Sequence, residues 1–181
     1  GFINGHRKSD NAIPGFDLLI LDCDGDVSLA TAKVLLEDYT FLISTTKRHN
    51  DQINRFRLIL PISHRLKLNA VEYSRFMTNV FEWLPFPVDE AAKDIARKWA
   101  SHPGHYEYNE GNIIDATMFI PETKRSDETK AQISANGVGN IERWFLTHTG
   151  KGNRATHLYR YGMVLVDSGL ALGEIIENLE N

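Results

Sequence analysis

The chain has 181 residues, 42% of them apolar, and a formal net charge of −4, so it can bury one sizeable core beside a small satellite and is too short for more than two domains. Its single cysteine, Cys23, excludes an intramolecular disulfide and a thiolate zinc cluster and leads us to expect a reducing compartment, the cytoplasm by default. No apolar run approaches the roughly 20 residues that cross a bilayer, and the opening segment lacks the apolar centre and cleavage site of a signal peptide, so a soluble chain without membrane partners is expected.

Gly1 rather than Met opens the chain and a strong element follows almost at once, from which further sequence upstream is expected. Residues 16–21 (FDLLIL) form a nearly unbroken apolar run closed by Asp22-Cys23-Asp24-Gly25-Asp26, the pattern of a buried strand entering a turn. Ser28 is placed to cap a helix over 28–38, with Leu29, Ala32, Leu35 and Leu36 on one face. A second strand over 39–45 leads through the polar stretch 46–50 to a third over 55–61, and the pair reads as a hairpin. Asn69 and Glu72 have capping-box spacing ahead of a helix whose apolar positions Ala70, Tyr73, Phe76, Met77, Val80, Phe81 and Leu84 repeat with helical period.

Pro85 and Pro87 end that helix, a short strand is expected near 86–89, and 90–101 has good helix formers. The order β-α-β-β-α predicts an α+β fold, a sheet covered by helices on one face. From 102 to about 139, Gly, Pro, Asn and charged residues dominate except for an apolar stretch near 113–120, which predicts a loosely packed connector. A boundary is expected near 125–137, within an exposed, protease-accessible segment over 121–135. Helices are predicted over 141–148, 154–167 and 170–179. Leu158, Tyr161 and Leu165 share a face that suits Leu172, Ile175, Ile176 and Leu179, with Trp144 and Phe145 nearby, so a separate helical unit is expected from about 139 onward.

Residues i and i+2 of a strand point the same way, so Asp22 and Asp24 present two carboxylates on one side. A divalent cation relieves their repulsion, and oxygen-only ligation suits Mg²⁺ or Mn²⁺. The same five residues resemble the start of an EF-hand loop, but Val27 and Lys33 stand where that loop needs Gly and Glu. An apolar strand ending in D-x-D-G also resembles the nucleophile motif of haloacid-dehalogenase-like phosphatases, with Asp22 as nucleophile and Asp24 as acid/base. The late acidic pair of that family has only Asp89-Glu90 and Asp115 as poor candidates.

Net negative charge gives no bulk attraction for nucleic acid, so such binding would rest on local cationic clusters. One comprises Lys47, Arg48, Arg55, Arg57, Arg65 and Lys67; the other is the Lys151-Gly152-Asn153-Arg154 turn with Arg160 beyond it. In the first, Lys47, Arg48, His49, Arg55 and Arg57 crowd one turn, a set of donors suited to the phosphates of a nucleotide. Along 55–60, Arg55 and Arg57 share one face and Phe56, Leu58 and Leu60 the other.

Taken in order, the acidic pair Asp22/Asp24, the segment 44–49 and Val88-Asp89 resemble the motif series of the archaeo-eukaryotic primase superfamily. STTKRHN followed by RFRLILP is similar to phage- and plasmid-type primase-polymerases, as is DEAAKDIARKW at 89–99. The tail GKGNRATHLYRYGMVLVDSGLALGEIIENLEN resembles the helical domain that follows such cores. The resemblance implies an RRM-like primase catalytic core over 1–125 and a small all-α C-terminal domain over 138–181. It further implies a DNA primase-polymerase in which Asp22, Asp24 and Asp89 hold two Mg²⁺ or Mn²⁺ ions, while Ser44, Thr46, Lys47, His49, Arg55 and Arg57 hold the nucleoside triphosphate. The implied partners are a single-stranded DNA template, nucleoside triphosphates and a helicase domain in the same polypeptide or a partner, and the implied location is the host cytoplasm. Three departures stand out: Lys47 occupies the position two before His49 where the family has a small residue, Asp94 competes with Asp89 as third metal ligand, and few residues precede Asp22 to supply an N-terminal α/β unit. The remaining alternative is a nucleic-acid-binding module whose acids are degenerate.

Overall fold

The computed structural model describes residues 2–135, 140–150 and 152–180. A short hairpin of β1 (Phe2–Ile3) and β2 (Ala12–Ile13) precedes β3 (Phe16–Asp24), α1 (Leu29–Leu35), β4 (Phe41–Thr45), β5 (Arg55–Leu66) and α2 (Ala70–Trp83). Then come β6 (Tyr106–Asn109), α3 (Lys124–Ala135), α4 (Asn140–His148), α5 (Arg154–Asp167) and α6 (Leu172–Glu180). β3 to β6 form an antiparallel four-stranded sheet in the order β3-β5-β4-β6, so the fold is α+β. Among the described residues no helix is long and apolar enough to cross a membrane.

The two-residue period of the strands divides the sheet into a core face and an open face. Leu19, Leu21 and Cys23 of β3, Phe41 and Ile43 of β4, and Phe56, Leu58 and Leu60 of β5 are buried in one cluster with Ala32 and Leu35 of α1 and Phe76, Met77 and Val80 of α2. Each large side chain so buried contributes about 1.5–3 kcal/mol. Residues opposite one another in antiparallel strands share a face. The pairings Asp22↔Arg57, Arg57↔Ser44 and Ser44↔Tyr106 therefore draw one row across all four strands on the open side, with Asp24↔Arg55 beside it.

The predicted caps are present. Thr31 N donates to Ser28 Oγ, and Asn69 and Glu72 form a reciprocal capping box at the start of α2. Other elements differ from expectation. β3 runs through Asp24 rather than stopping at residue 21, and β5 continues past Pro61, which lies beyond the last pairing with β4 and so withholds no N–H from that ladder. No strand forms at 86–89; a single backbone bond, Asp89 N to Asp22 O at 2.9 Å, ties that segment to β3. The helix expected over 90–101 is only a 3-10 turn, Glu90–Lys93. Asp94 stops it, its carboxylate accepting from Ala96 N and Ser9 Oγ, and the chain then leaves helical conformation.

Up to residue 135, the region expected to be a loose connector carries ordered elements that meet the core. β6 adds the fourth strand, Ile114, Ala116 and Phe119 are buried, and 124–135 is helical, with Ser126 buried and Arg125 paired to Asp115. Asn79 on α2 donates to Phe119 O, which fixes that segment to the helical layer.

The three predicted tail helices are present as α4, α5 and α6. Tyr161, Leu165 and Ile175 form the expected small cluster, but Leu172 and Ile176, predicted to join it, are exposed. Several contacts link this tail to the sheet domain. Trp144 belongs to the main core, Ser28 N donates to Asp167 Oδ2, and Arg160, only 2% exposed, pairs with Glu37 and Asp38. Arg160 is thus removed from the surface cluster expected around the basic turn, because its charge is spent inside the fold. Of that turn Lys151 lies outside the described residues, as do residues 136–139 at the expected boundary.

His148 and His157 sit in this junction. His148 Nδ1 donates to Trp144 O at 2.9 Å, which leaves Nε2 to accept from the Tyr39 hydroxyl at 3.4 Å. Burial lowers the pKa of both imidazoles from 6.5; each also faces Arg160 and, for His148, the other imidazole, against the opposing pull of Asp38 and, for His148, the Trp144 carbonyl and, for His157, Glu37. A folded-state pKa below the unfolded one means that the unfolded chain binds more protons as pH falls through 6.5. The melting temperature should therefore be level above about pH 7 and drop as pH falls below about 6.5. His148→Gln, followed by thermal unfolding across that range, should flatten the drop; an unchanged pH slope would place its origin elsewhere.

Candidate active site

The last turn of the apolar β3 run sets Asp22 and Asp24 on the open face, and β5 sets Arg57 and Arg55 directly opposite them. Asp22, 14% exposed, has both oxygens engaged: Oδ1 accepts from Arg57 Nε at 3.0 Å and Oδ2 from Arg97 Nη2 at 3.1 Å. Arg97 Nη2 also donates to Asp89 Oδ2 at 2.7 Å, so one nitrogen bridges two carboxylates. Asp89 is itself fixed, its N–H on Asp22 O and its Oδ1 accepting from Ala91 N. Asp24 is looser, 54% exposed and 3.4 Å from Arg55.

Residues 97–102 follow this row and wall it. The Trp99 ring lies under both guanidiniums, 5.0 Å from Arg57 and 5.4 Å from Arg97, and Arg57 Nη1 donates to Ala100 O. Such stacking favours Arg over Lys because guanidinium is planar and weakly hydrated. Burial works against the charge of Arg97, but hydrogen bonds and charge from Asp22 and Asp89 outweigh it and hold its pKa above the ordinary arginine value. The cavity so formed, about 370 Å³, is lined by Asp22, Asp24, Ser44, Thr45, Thr46, Lys47, Arg48, Arg55, Arg57, Arg97 and residues 100–102. Cys23, between the acids in sequence, points into the core; burial first and then Asp22, Asp24 and Asp26 push its thiol far up, which leaves it no thiolate character.

No protein-family model, curated protein or solved structure matches the chain. Its chemistry is read from the residues themselves.

Of the sequence-predicted site residues, Asp22, Asp24, Ser44, Thr46, Lys47, Arg55 and Arg57 line one cavity. Asp89 reaches it through Arg97. His49 does not line it: its Nδ1 accepts from Arg55 N at 3.1 Å and so closes the β4–β5 turn. Thr46 also braces that turn, its N–H and hydroxyl both on Arg55 O. Asp94, the competitor of Asp89, has its Oδ1 engaged instead by Ser9 Oγ and Ala96 N. Arg97 and Trp99 were missed as site residues, although both belong to the 89–99 stretch that carried the family resemblance; reading it as helix hid their direction.

Among the described residues no group of three or more His, Cys, Asp or Glu side chains is close enough to hold a metal ion. Two carboxylates do converge, however, since Asp22 Oδ2 and Asp89 Oδ2 share the Arg97 nitrogen. Mg²⁺ is commonly held by one or two carboxylates with water and substrate phosphate completing the shell. The donor set therefore fits a two-carboxylate site, with Asp24 on the same face, rather than a closed three-carboxylate cage.

Proposed function

We propose that this chain is the nucleotidyl-transfer core of a DNA primase-polymerase serving phage or plasmid replication, with an RRM-like sheet whose helical layer covers one face and whose chemistry lies on the other. The observation that carries the reading is the row Asp22–Arg57–Ser44, which opens into one cavity with Lys47, Arg48 and Arg55. Carboxylates suited to hard cations thus adjoin cations suited to a triphosphate. Mg²⁺ or Mn²⁺, held by Asp22 and Asp89 with Asp24 beside them, would supply charge neutralisation for in-line phosphoryl transfer. The protein's own part is positioning. Arg57 orients Asp22, the Asp89 N–H ties the third acid to β3, and the exposed Lys47 and Arg48 face incoming phosphate. Template DNA would be held mainly through its phosphates, and a helicase domain would be joined through the tail. The host cytoplasm is the matching location.

The phosphatase alternative asks for a late acidic pair beside Asp22, but Asp115 is engaged by Thr117 and Arg125. Incubation with a primed single-stranded template, labelled nucleotides and Mg²⁺ or Mn²⁺ tests the proposal: incorporation that requires both template and metal supports it. Template-independent hydrolysis of a phosphate ester would favour the phosphatase, and DNA binding without incorporation a degenerate module. Arg55, held only at 3.4 Å by Asp24, should contribute mainly to the nucleotide. Arg55→Ala is expected to raise the nucleotide dissociation constant about ten- to hundredfold, the loss of one charge-assisted contact of about 1.5–3 kcal/mol. Nucleotide titration at saturating template reads this, and an unchanged constant would move Arg55 to the template or to solvent.

A further inference from the structure

We infer that Arg97 is the resident cation of the Asp22–Asp89 pair, a built-in competitor that must leave those carboxylates before a divalent ion can bind them. The inference rests on the metal reading above and adds a control over it. One Arg97 nitrogen stands 3.1 Å from Asp22 Oδ2 and 2.7 Å from Asp89 Oδ2. The space between those oxygens cannot hold a guanidinium nitrogen and a second cation together, because like charges at that separation repel strongly. Arg57 is different. It approaches Asp22 through Oδ1, is anchored by Ala100 O, and makes no contact with Asp89, so it can stay when Arg97 leaves.

The carboxylates are built to remain in place. The Asp89 N–H on Asp22 O and the Ala91 N–H on Asp89 Oδ1 hold the two acids together by bonds that do not involve Arg97. Arg97 also has somewhere to go. Its side chain already lines the cavity that Lys47, Arg48 and Arg55 share, and the Trp99 ring at 5.4 Å offers a surface on which a guanidinium can swing toward phosphate. Because occupancy by Arg97 and by a metal exclude one another, any anion that draws Arg97 into the cavity tightens metal binding, and the coupling is reciprocal.

The test is Mn²⁺ binding to the full chain without nucleotide, followed by electron paramagnetic resonance, beside circular dichroism to establish folding. Arg97→Gln removes the competing charge and should tighten the Mn²⁺ dissociation constant about tenfold. Arg97→Lys keeps a competing charge and should bind close to wild type, and Arg97→Gln combined with Asp89→Asn should lose the gain. An unchanged or weaker Mn²⁺ constant in folded Arg97→Gln overturns the inference. Should that variant not fold, the wild type decides: with ¹⁵N-labelled arginine, saturating Mg²⁺ should shift the Arg97 side-chain resonance, and a resonance that stays put while Mg²⁺ binds overturns the inference equally. Failure of the metal reading has a separate signature, namely Asp22→Asn binding Mn²⁺ as tightly as wild type.

Discussion

Asp22→Asn should reduce template-dependent incorporation by about a thousandfold or more, the scale expected when several kcal/mol of charge stabilisation is withdrawn from a phosphoryl-transfer transition state. The residue is isosteric with the carboxylate and lies on the open face, opposite Arg57, so no core side chain is disturbed. From the acidic cluster alone, removing one carboxylate would be expected to leave stability unchanged or raise it by relieving repulsion. The structure reverses that expectation, because Asp22 accepts from both Arg57 and Arg97 and is mostly shielded from solvent. Losing its charge weakens two charge-assisted hydrogen bonds, a cost of about 1–3 kcal/mol, which for a chain of this size lowers the melting temperature by several degrees. Asp24→Asn should also lose activity but with a smaller thermal shift, since Asp24 is half exposed and its one guanidinium is 3.4 Å away. Incorporation assays read alongside melting curves separate the two effects. Near-wild-type incorporation by Asp22→Asn would remove it from the reaction.

The parts of the site that were legible in the sequence depend on local periodicity. The apolar run before Asp22, the alternation of Arg55 and Arg57 with Phe56 and Leu58, and the cap residues Ser28 and Asn69 each follow from the geometry of one element. What was hidden depends on partners remote in sequence. Residues 90–101 have good helix propensity, yet the pairing of Arg97 with Asp22, 75 residues away, and the capping of Ala96 by Asp94 draw the segment out of a helix. β6 is four residues, Tyr-Glu-Tyr-Asn, in a polar stretch, too short for its alternation to stand out, and is specified by its pairing with β4. His49 was legible as a donor imidazole near the cations but not as the brace of its own turn. Arg160 is the extreme case, because no local pattern distinguishes an arginine at the surface from one buried against a tryptophan.

Arg160→Ala should lower stability by about 3 kcal/mol, or roughly 6–12 °C in melting temperature. The Arg160 side chain is 2% exposed; its Nη1 donates to Asp38 Oδ2 at 3.0 Å, its Nη2 pairs with Glu37, and its guanidinium lies 5.9 Å from the centre of the Trp144 ring. Truncation removes a packed stem as well as both pairs, and it leaves a void beside a core residue. The cost stays below that of a fully buried pair because Glu37 and Asp38, 48% and 53% exposed, are taken up by water once Arg160 is gone. The charge itself is poorly accommodated, since Arg160 Nε is buried with no hydrogen-bond partner among the described residues. Arg160→Met, which keeps the stem and removes that orphan donor, should accordingly lie within about 1 kcal/mol of wild type. Thermal unfolding of the three proteins measures the ranking, and limited trypsin digestion locates the change. With Arg160 in place, α5 is tied to the residues between α1 and β4, and cleavage at Arg154 should be slow; in Arg160→Ala it should become the first cut, ahead of Lys124 and Arg125. If instead Arg160→Ala melted like wild type and trypsin still cut first between 124 and 130, residues 138–181 would be a unit stable by itself, and the junction through Arg160 would be contact without coupling.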